Sequence, residues 1–109
     1  MGNILLKGMA ASGGLAEGVA RVILPCCDFS LFKEGEILVT TLTDPTMVQV
    51  MIRAGAIVTD IGGITSHPAI LSREMGIPCV VNTKEANLKI KSGMKLKING
   101  STGEIYELD

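Results

Sequence analysis

Apolar residues fall in short runs whose period changes along the chain. Near the start, "NILLKGMAA" reads as a strand, "SGGLAEG" as a glycine-rich turn and "VARVILP" as a second strand ended by Pro25. "DFSLFKEGE" reads as a loop with a short turn. Then "ILVTTLT" (Ile37 to Thr43) is β-branched and apolar at successive positions, as a strand buried on both faces must be. Asp44-Pro45 follows, an N-cap and a first-turn proline. In "TMVQVMIRA", Met47, Val48, Met51 and Ile52 recur at helical spacing, and Gly55 closes the run.

The plan then repeats. "AIVTD" (Ala56 to Asp60) is a second buried strand, and Gly62 and Gly63 form a turn. Pro68 opens a helix to about Met75, with Gly76 in the C-cap place and Ile77-Pro78 just beyond it. "CVVN" (Cys79 to Asn82) is a third strand. Ile37 to Asn82 therefore reads as a β-α-β-α-β unit, and its short crossovers imply parallel strands. "EANLKI" predicts a short helix. "MKLKI" and "EIYEL" predict a closing β-hairpin. The fold class expected is α/β, with a mainly β first part. The 109 residues suggest a single domain, 1–109.

Composition narrows the function. The chain is 47% hydrophobic but only 3% aromatic, so its core is aliphatic and it offers no stacking platform for bases. With a net charge of −1 and no basic patch, nucleic acid is not an expected partner. No apolar run is long enough to span a bilayer, and "MGNILLKGMAAS" lacks the pattern of a signal peptide. Cys26, Cys27 and Cys79 form an odd set with two members adjacent, unlike a disulfide framework. Free thiols in a cytoplasmic protein are the expectation. No C-x-x-C spacing supports a metal site, and none is expected.

The chemistry concentrates at the chain's one histidine, His67, in "GGITSHPAI". With Pro68 at the first helical position, His67 is the expected N-cap. First-turn amides and the helix dipole then place partial positive charge beside the imidazole. That charge favours a neutral ring, the form a nucleophile needs. Gly62 and Gly63 allow close backbone approach to a ligand, and Thr65 and Ser66 supply hydroxyls. Such a turn suits an imidazole that accepts a phosphoryl group. On local pattern alone, a single histidine at a helix start is more often a capping or surface residue beside a plain loop. A hydrolytic triad of Ser66, His67 and Asp60 is a poor alternative, because neighbouring residues rarely aim their side chains at one another.

At this point a family signature is legible. "GGITSHPAILSREMGIPCVV" resembles the phosphohistidine motif of the mobile, or swivelling, domain of PEP-utilising enzymes. That family includes pyruvate phosphate dikinase, PEP synthase and enzyme I of the sugar phosphotransferase system. The motif is Gly-Gly-x-Thr-Ser-His-x-Ala-Ile-x-x-Arg-Glu-x-Gly-Ile-Pro-x-Val-Val, and this chain matches it from Gly62 to Val81. The resemblance extends to "GMAASGGLAEGVARVI" at the start and "KSGMKLKINGSTGEIYEL" at the end. Three departures are Pro68, Ser72 where alanine is common, and Asn82 where glycine is frequent.

The resemblance implies a β/β/α swivelling fold. It makes His67 the phosphocarrier, Thr65 and Ser66 its hydrogen-bonding neighbours, and Gly62 and Gly63 the shaping glycines. Asp60, Thr43 and Arg73 are candidates for the surrounding shell. The resemblance further implies a phosphotransferase part that is not a complete enzyme alone. It would relay a phosphoryl group from ATP or PEP, with Mg²⁺, ATP and PEP bound on partners and no cofactor on this chain. Those partners would be a nucleotide-binding kinase domain or subunit and one that binds pyruvate, PEP or another acceptor. The alternative is a binding or regulatory module that keeps the fold without the transfer.

Overall fold

A computed structural model of the chain describes residues 3–23, 32–43, 47–62 and 67–108. The elements in chain order are β1 (Asn3–Lys7), β2 (Met9–Ser12), β3 (Leu15–Val22), β4 (Ile37–Thr40), α1 (Val48–Met51), β5 (Ala56–Thr59), α2 (His67–Met75), β6 (Cys79–Val81), α3 (Ala86–Lys89), β7 (Lys95–Asn99) and β8 (Glu104–Glu107). Cys26, Cys27, Pro25, Asp44 and Pro45 lie outside the described residues.

The strands pair in the order β1-β8-β7-β3-β4-β5-β6-β2. β3 serves two halves. Leu15 to Val19 pair antiparallel with β7, and Ala20 to Val22 pair parallel with β4. β4, β5 and β6 run parallel, as the β-α-β-α-β reading requires, and β7 and β8 form the expected hairpin. The two outermost strands, β1 and β2, are consecutive in the chain with only Gly8 between them. One residue spans a few ångströms, so the sheet must roll over until its ends meet.

Side-chain alternation then makes two cores. Ile37, Val39, Ala56, Val58 and Val80 face inward and meet Leu6, Leu96, Ile98 and Ile105 of the other half-sheet, with Ala86 and Ile90 closing one end. Leu38, Ile57, Cys79 and Val81 point outward and are covered by Val50, Met51 and Ala69 of the helices. The layers are therefore β/β/α. β4, β5 and β6 are the middle layer, which is why their sequences are apolar on both faces.

Several boundaries differ from expectation, each for a physical reason. β3 begins at Leu15, inside the segment read as a turn, because a ladder to β7 engages residues on both sides of Gly18. A side chain at Gly18 would press on the Gly35 carbonyl oxygen at 3.3 Å. β4 ends at Thr40, not Thr43, and β5 at Thr59, where the chain bends. The helical stretch of α1 is shorter than "TMVQVMIRA", since Arg53 and Ala54 close tighter turns onto Val50 and Met51. α2 starts at His67, one residue before Pro68. A first-turn amide has no intrahelical acceptor, so a proline there loses nothing. The other end of α2 is as expected. Gly76 takes φ +73° and the Ile77 amide donates to Ser72 O at 3.1 Å, a left-handed cap.

Candidate functional site

β4 and β5 end side by side, with Thr40 opposite Thr59. Their ladder runs on past the strands. Asp60 N donates to Thr40 O at 3.2 Å and Ile61 N to Thr41 O at 2.9 Å. Two loops thus leave one edge of the sheet together. One carries Thr43, and the other passes through Gly62, at φ +134°, toward the start of α2. Crevices at the carboxyl ends of parallel strands are where open α/β sheets place their sites.

His67 opens α2 and is exposed. Its Nδ1 lies 3.3 Å from Thr43 Oγ1. In one tautomer Nδ1–H donates to the hydroxyl oxygen and Nε2 keeps its lone pair. In the other the hydroxyl donates to Nδ1 and Nε2 carries the proton. The first form leaves the Nε2 lone pair as the nucleophile, with the ring held through Nδ1. The first turn of α2 adds amides without intrahelical acceptors and the positive end of the helix dipole.

The other candidates separate. Asp60 is buried at the same strand end, but its Oδ1 accepts from Thr83 Oγ1 at 2.9 Å and from the Ala86 amide at 2.6 Å. It ties the end of β5 to the start of α3. Arg73 Nε donates to Ala11 O at 2.6 Å and joins α2 to β2. Gly63, Thr65 and Ser66 lie outside the described residues. The structure therefore brings Thr43 and His67 together and engages Asp60 and Arg73 in contacts between elements.

Between Thr40 and Ser72 the sequence holds a single cation, Arg53. Its Nε donates to Gln49 O and its guanidinium lies over the Phe32 ring, 5.9 Å from the centroid. Farther along α2, Arg73 is held on Ala11 O, and Lys84 lies in the turn after β6, its amide donating to Asp60 O. The segments that carry Thr43 and His67 also expose apolar side chains, for Leu42, Ile61 and Ile70 are 42%, 57% and 47% exposed. Ile70 follows His67 by three residues and shares its helix face.

Sequence reasoning named Thr43 only as part of a surrounding shell, whereas it contacts the ring directly. Thr40, Thr59 and Thr83 were not singled out. A hydroxyl at the last position of a β-branched apolar run was the available signal. Among the described residues, no three side chains of metal-binding type cluster. No helix among them is long and apolar enough to cross a membrane.

Comparison with known proteins identifies the family. The family "PEP-utilising enzyme, mobile domain" matches residues 32–103. The phosphoenolpyruvate synthase of Pyrococcus furiosus is 54% identical over 105 residues, which cover 96% of this chain and 13% of that protein. A probable phosphoenolpyruvate synthase of Archaeoglobus fulgidus is 53% identical, over 97% of this chain and 14% of its own length. The chain thus spans about an eighth of these relatives. Among solved structures, aconitase X of Thermococcus kodakaraensis superposes with a TM-score of 0.68 at 25% identity, covering 95% of this chain and 98% of that one. An enzyme I protein solved by NMR gives 0.64 at 25% identity, over 74% of this chain and 34% of that one.

Proposed function

Because the chain belongs to the family of PEP-utilising enzyme mobile domains, we propose that it is a phosphohistidine carrier, in which His67 takes a phosphoryl group from one partner and delivers it to another. The observation that carries this reading is the Thr43–His67 contact at the exposed edge of the sheet. It supports a ring held by Nδ1 with Nε2 turned toward solvent.

In the accepting step, the Nε2 lone pair attacks the phosphorus of the donor. The Nε2–P bond forms while the P–O bond to the donor's leaving group breaks, and that oxygen departs with the electron pair. Nδ1–H remains on the Thr43 hydroxyl throughout. In the delivering step an acceptor oxygen attacks phosphorus, and the P–Nε2 electron pair returns to the ring. Gly62, Gly63, Thr65 and Ser66 would shape the turn and donate to the phosphoryl oxygens. The donor would be ATP or PEP, and Mg²⁺ would accompany it on the partner. The partners are a nucleotide-binding kinase domain or subunit and one holding pyruvate, PEP or another acceptor.

The exposed Leu42, Ile61 and Ile70 form an apolar rim that a docked partner can cover, which excludes water from the transfer.

The test is intact-mass analysis after incubation with a family nucleotide-binding domain and ATP. The expected result is one acid-labile phosphate on the wild type and none on His67→Ala. Equal gain by both proteins, or none by the wild type with its own partner, would overturn the reading and leave a binding module.

A further inference from the structure

Thr40 and Thr59 occupy the same place on adjacent strands. Each ends its strand, they face each other in register, and both are fully buried. Each also folds its hydroxyl forward onto the carbonyl two residues on. Thr40 Oγ1 donates to Leu42 O at 3.0 Å, and Thr59 Oγ1 donates to Ile61 O at 3.1 Å. A buried threonine could meet its need through many acceptors. Here the acceptors are the two peptide units that lead into the site.

A peptide unit is planar, so fixing a carbonyl fixes the next amide. The bond from Thr40 sets the plane of Leu42–Thr43 and hence the origin of the Thr43 side chain. The bond from Thr59 sets the plane of Ile61–Gly62, where the chain turns at φ +134° toward His67. Backbone bonds of Asp60 and Ile61 to Thr40 and Thr41 then lock the two loops to each other. On the far side, Thr83 donates to Thr59 O from its amide, at 3.1 Å, and its hydroxyl proton is shared between Thr59 O, at 3.0 Å, and Asp60 Oδ1, bracing the same corner. The Thr43–His67 pair bridges these two loops. Its geometry therefore depends on both pins.

We infer that Thr40 and Thr59 are positioning residues, whose hydroxyls set the Thr43–His67 contact that holds the imidazole. This rests on the carrier reading for its functional meaning, but not for its test. Loss of either pin frees one loop and weakens the hold of the Thr43 hydroxyl on Nδ1. The methyl groups, buried against the apolar layers, serve packing, so valine keeps the shape and removes only the hydroxyl.

His67 is the chain's one histidine, so a two-bond proton–nitrogen correlation spectrum of the ¹⁵N-labelled chain reports a single imidazole. The spectrum is read for wild type, Thr40→Val, Thr59→Val and the two serine variants, all unphosphorylated. Each valine variant should shift the ring-nitrogen signals from their wild-type positions toward those of Thr43→Val, which lacks the contact. Each serine variant should return them to the wild-type positions. Valine variants that lose stability yet keep the wild-type imidazole signals would overturn the inference. So would serine variants that fail to restore them. The two sites make the same prediction independently, so a variant that does not fold leaves the other to decide, and the serine exchanges decide alone if neither valine variant folds. Phosphate uptake is a separate arm. Its absence from the wild type would refute the carrier reading and leave the positioning result standing.

Discussion

Oδ1 of Asp60 accepts a hydrogen bond from Thr83 Oγ1 at 2.9 Å, inside the fold where the ends of β5 and β6 meet. The same oxygen accepts from the Ala86 amide, so a single carboxylate atom joins a strand end to the first turn of α3. Thr83 is itself bonded to Thr59, one residue before Asp60. The acidic residue that precedes the glycine turn is in this way a joint between elements.

Removing that joint leaves the buried Ala86 amide unpaired and the Thr83 hydroxyl with Thr59 O as its acceptor. Asp60→Ala should cost about 2–3 kcal/mol, and Asp60→Asn, which keeps an acceptor, about 1 kcal/mol. Urea denaturation of the two variants beside the wild type measures the difference. Equal and negligible losses would contradict the assignment.

Asn82 and Lys84 are the described non-glycine residues with positive φ, at +58° and +69°. They flank Thr83 in the turn after β6. An L-residue there carries a steric penalty that glycine lacks. Lys84→Gly, at an exposed site, should therefore stabilise the chain by about 1 kcal/mol despite the entropy glycine adds to the unfolded state. A thermal melt gives the answer, and a lower Tm would show that the lysine side chain makes a contribution larger than its strain.

Ser72 Oγ is fully buried beneath α2 and, among the described residues, finds no full hydrogen-bond partner. The Cys79 thiol beside it is a weak one. Burial pushes that thiol up to about 11, against the smaller opposing pulls of the Ser72 hydroxyl and the Arg73 charge. Alanine at this position removes an underpaired polar atom and favours the helix. Ser72→Ala should raise stability by about 1 kcal/mol. A loss in the denaturation midpoint would mean that the hydroxyl–thiol contact is stronger than its chemistry suggests.

At the far end of the sheet, Arg21 grips Glu36 through Nε at 3.1 Å and Nη2 at 2.8 Å, and the Lys33 amide adds a third bond at 2.7 Å. The Arg21 hydrogen bond, chiefly, holds the Glu36 carboxyl below the usual carboxylate range, against the opposing effect of burial. A lowered folded-state value means that the unfolded chain binds the proton more readily. The stabilisation is thus complete above the ordinary carboxylate range and lost as pH falls through the folded-state value. Wild type should exceed Glu36→Gln in stability at neutral pH, and the gap should close on acidification. A gap that stayed constant down to strongly acid pH would contradict the assignment.

Much of this was legible in the sequence. The continuous apolar runs at Ile37, Ala56 and Cys79 announced strands covered on both faces, and they form the middle layer. Gly76 followed by Ile77-Pro78 marked the end of α2 through a conformation that only its neighbours' composition required. The closing hairpin was visible in its alternation and its Asn99–Gly100 turn. What could not be read were pairings between distant segments. β3 starts at Leu15 because β7, some 80 residues later, supplies its ladder. The direct contact of Thr43 with His67 likewise depends on the register of two parallel strands, which local patterns do not encode. Asp60 looked like part of the site from its place in the chain, and only the position of α3 shows where its carboxylate bonds.

The central claim is that Nε2 of His67 carries the phosphoryl group while Nδ1 is held by Thr43. Phosphorus–nitrogen coupling in the ¹⁵N-labelled, phosphorylated chain tests it most directly. The account predicts a one-bond coupling to Nε2 and a proton on Nδ1. Phosphate attached to Nδ1, or residing on a hydroxyl with His67 unmodified, would contradict it.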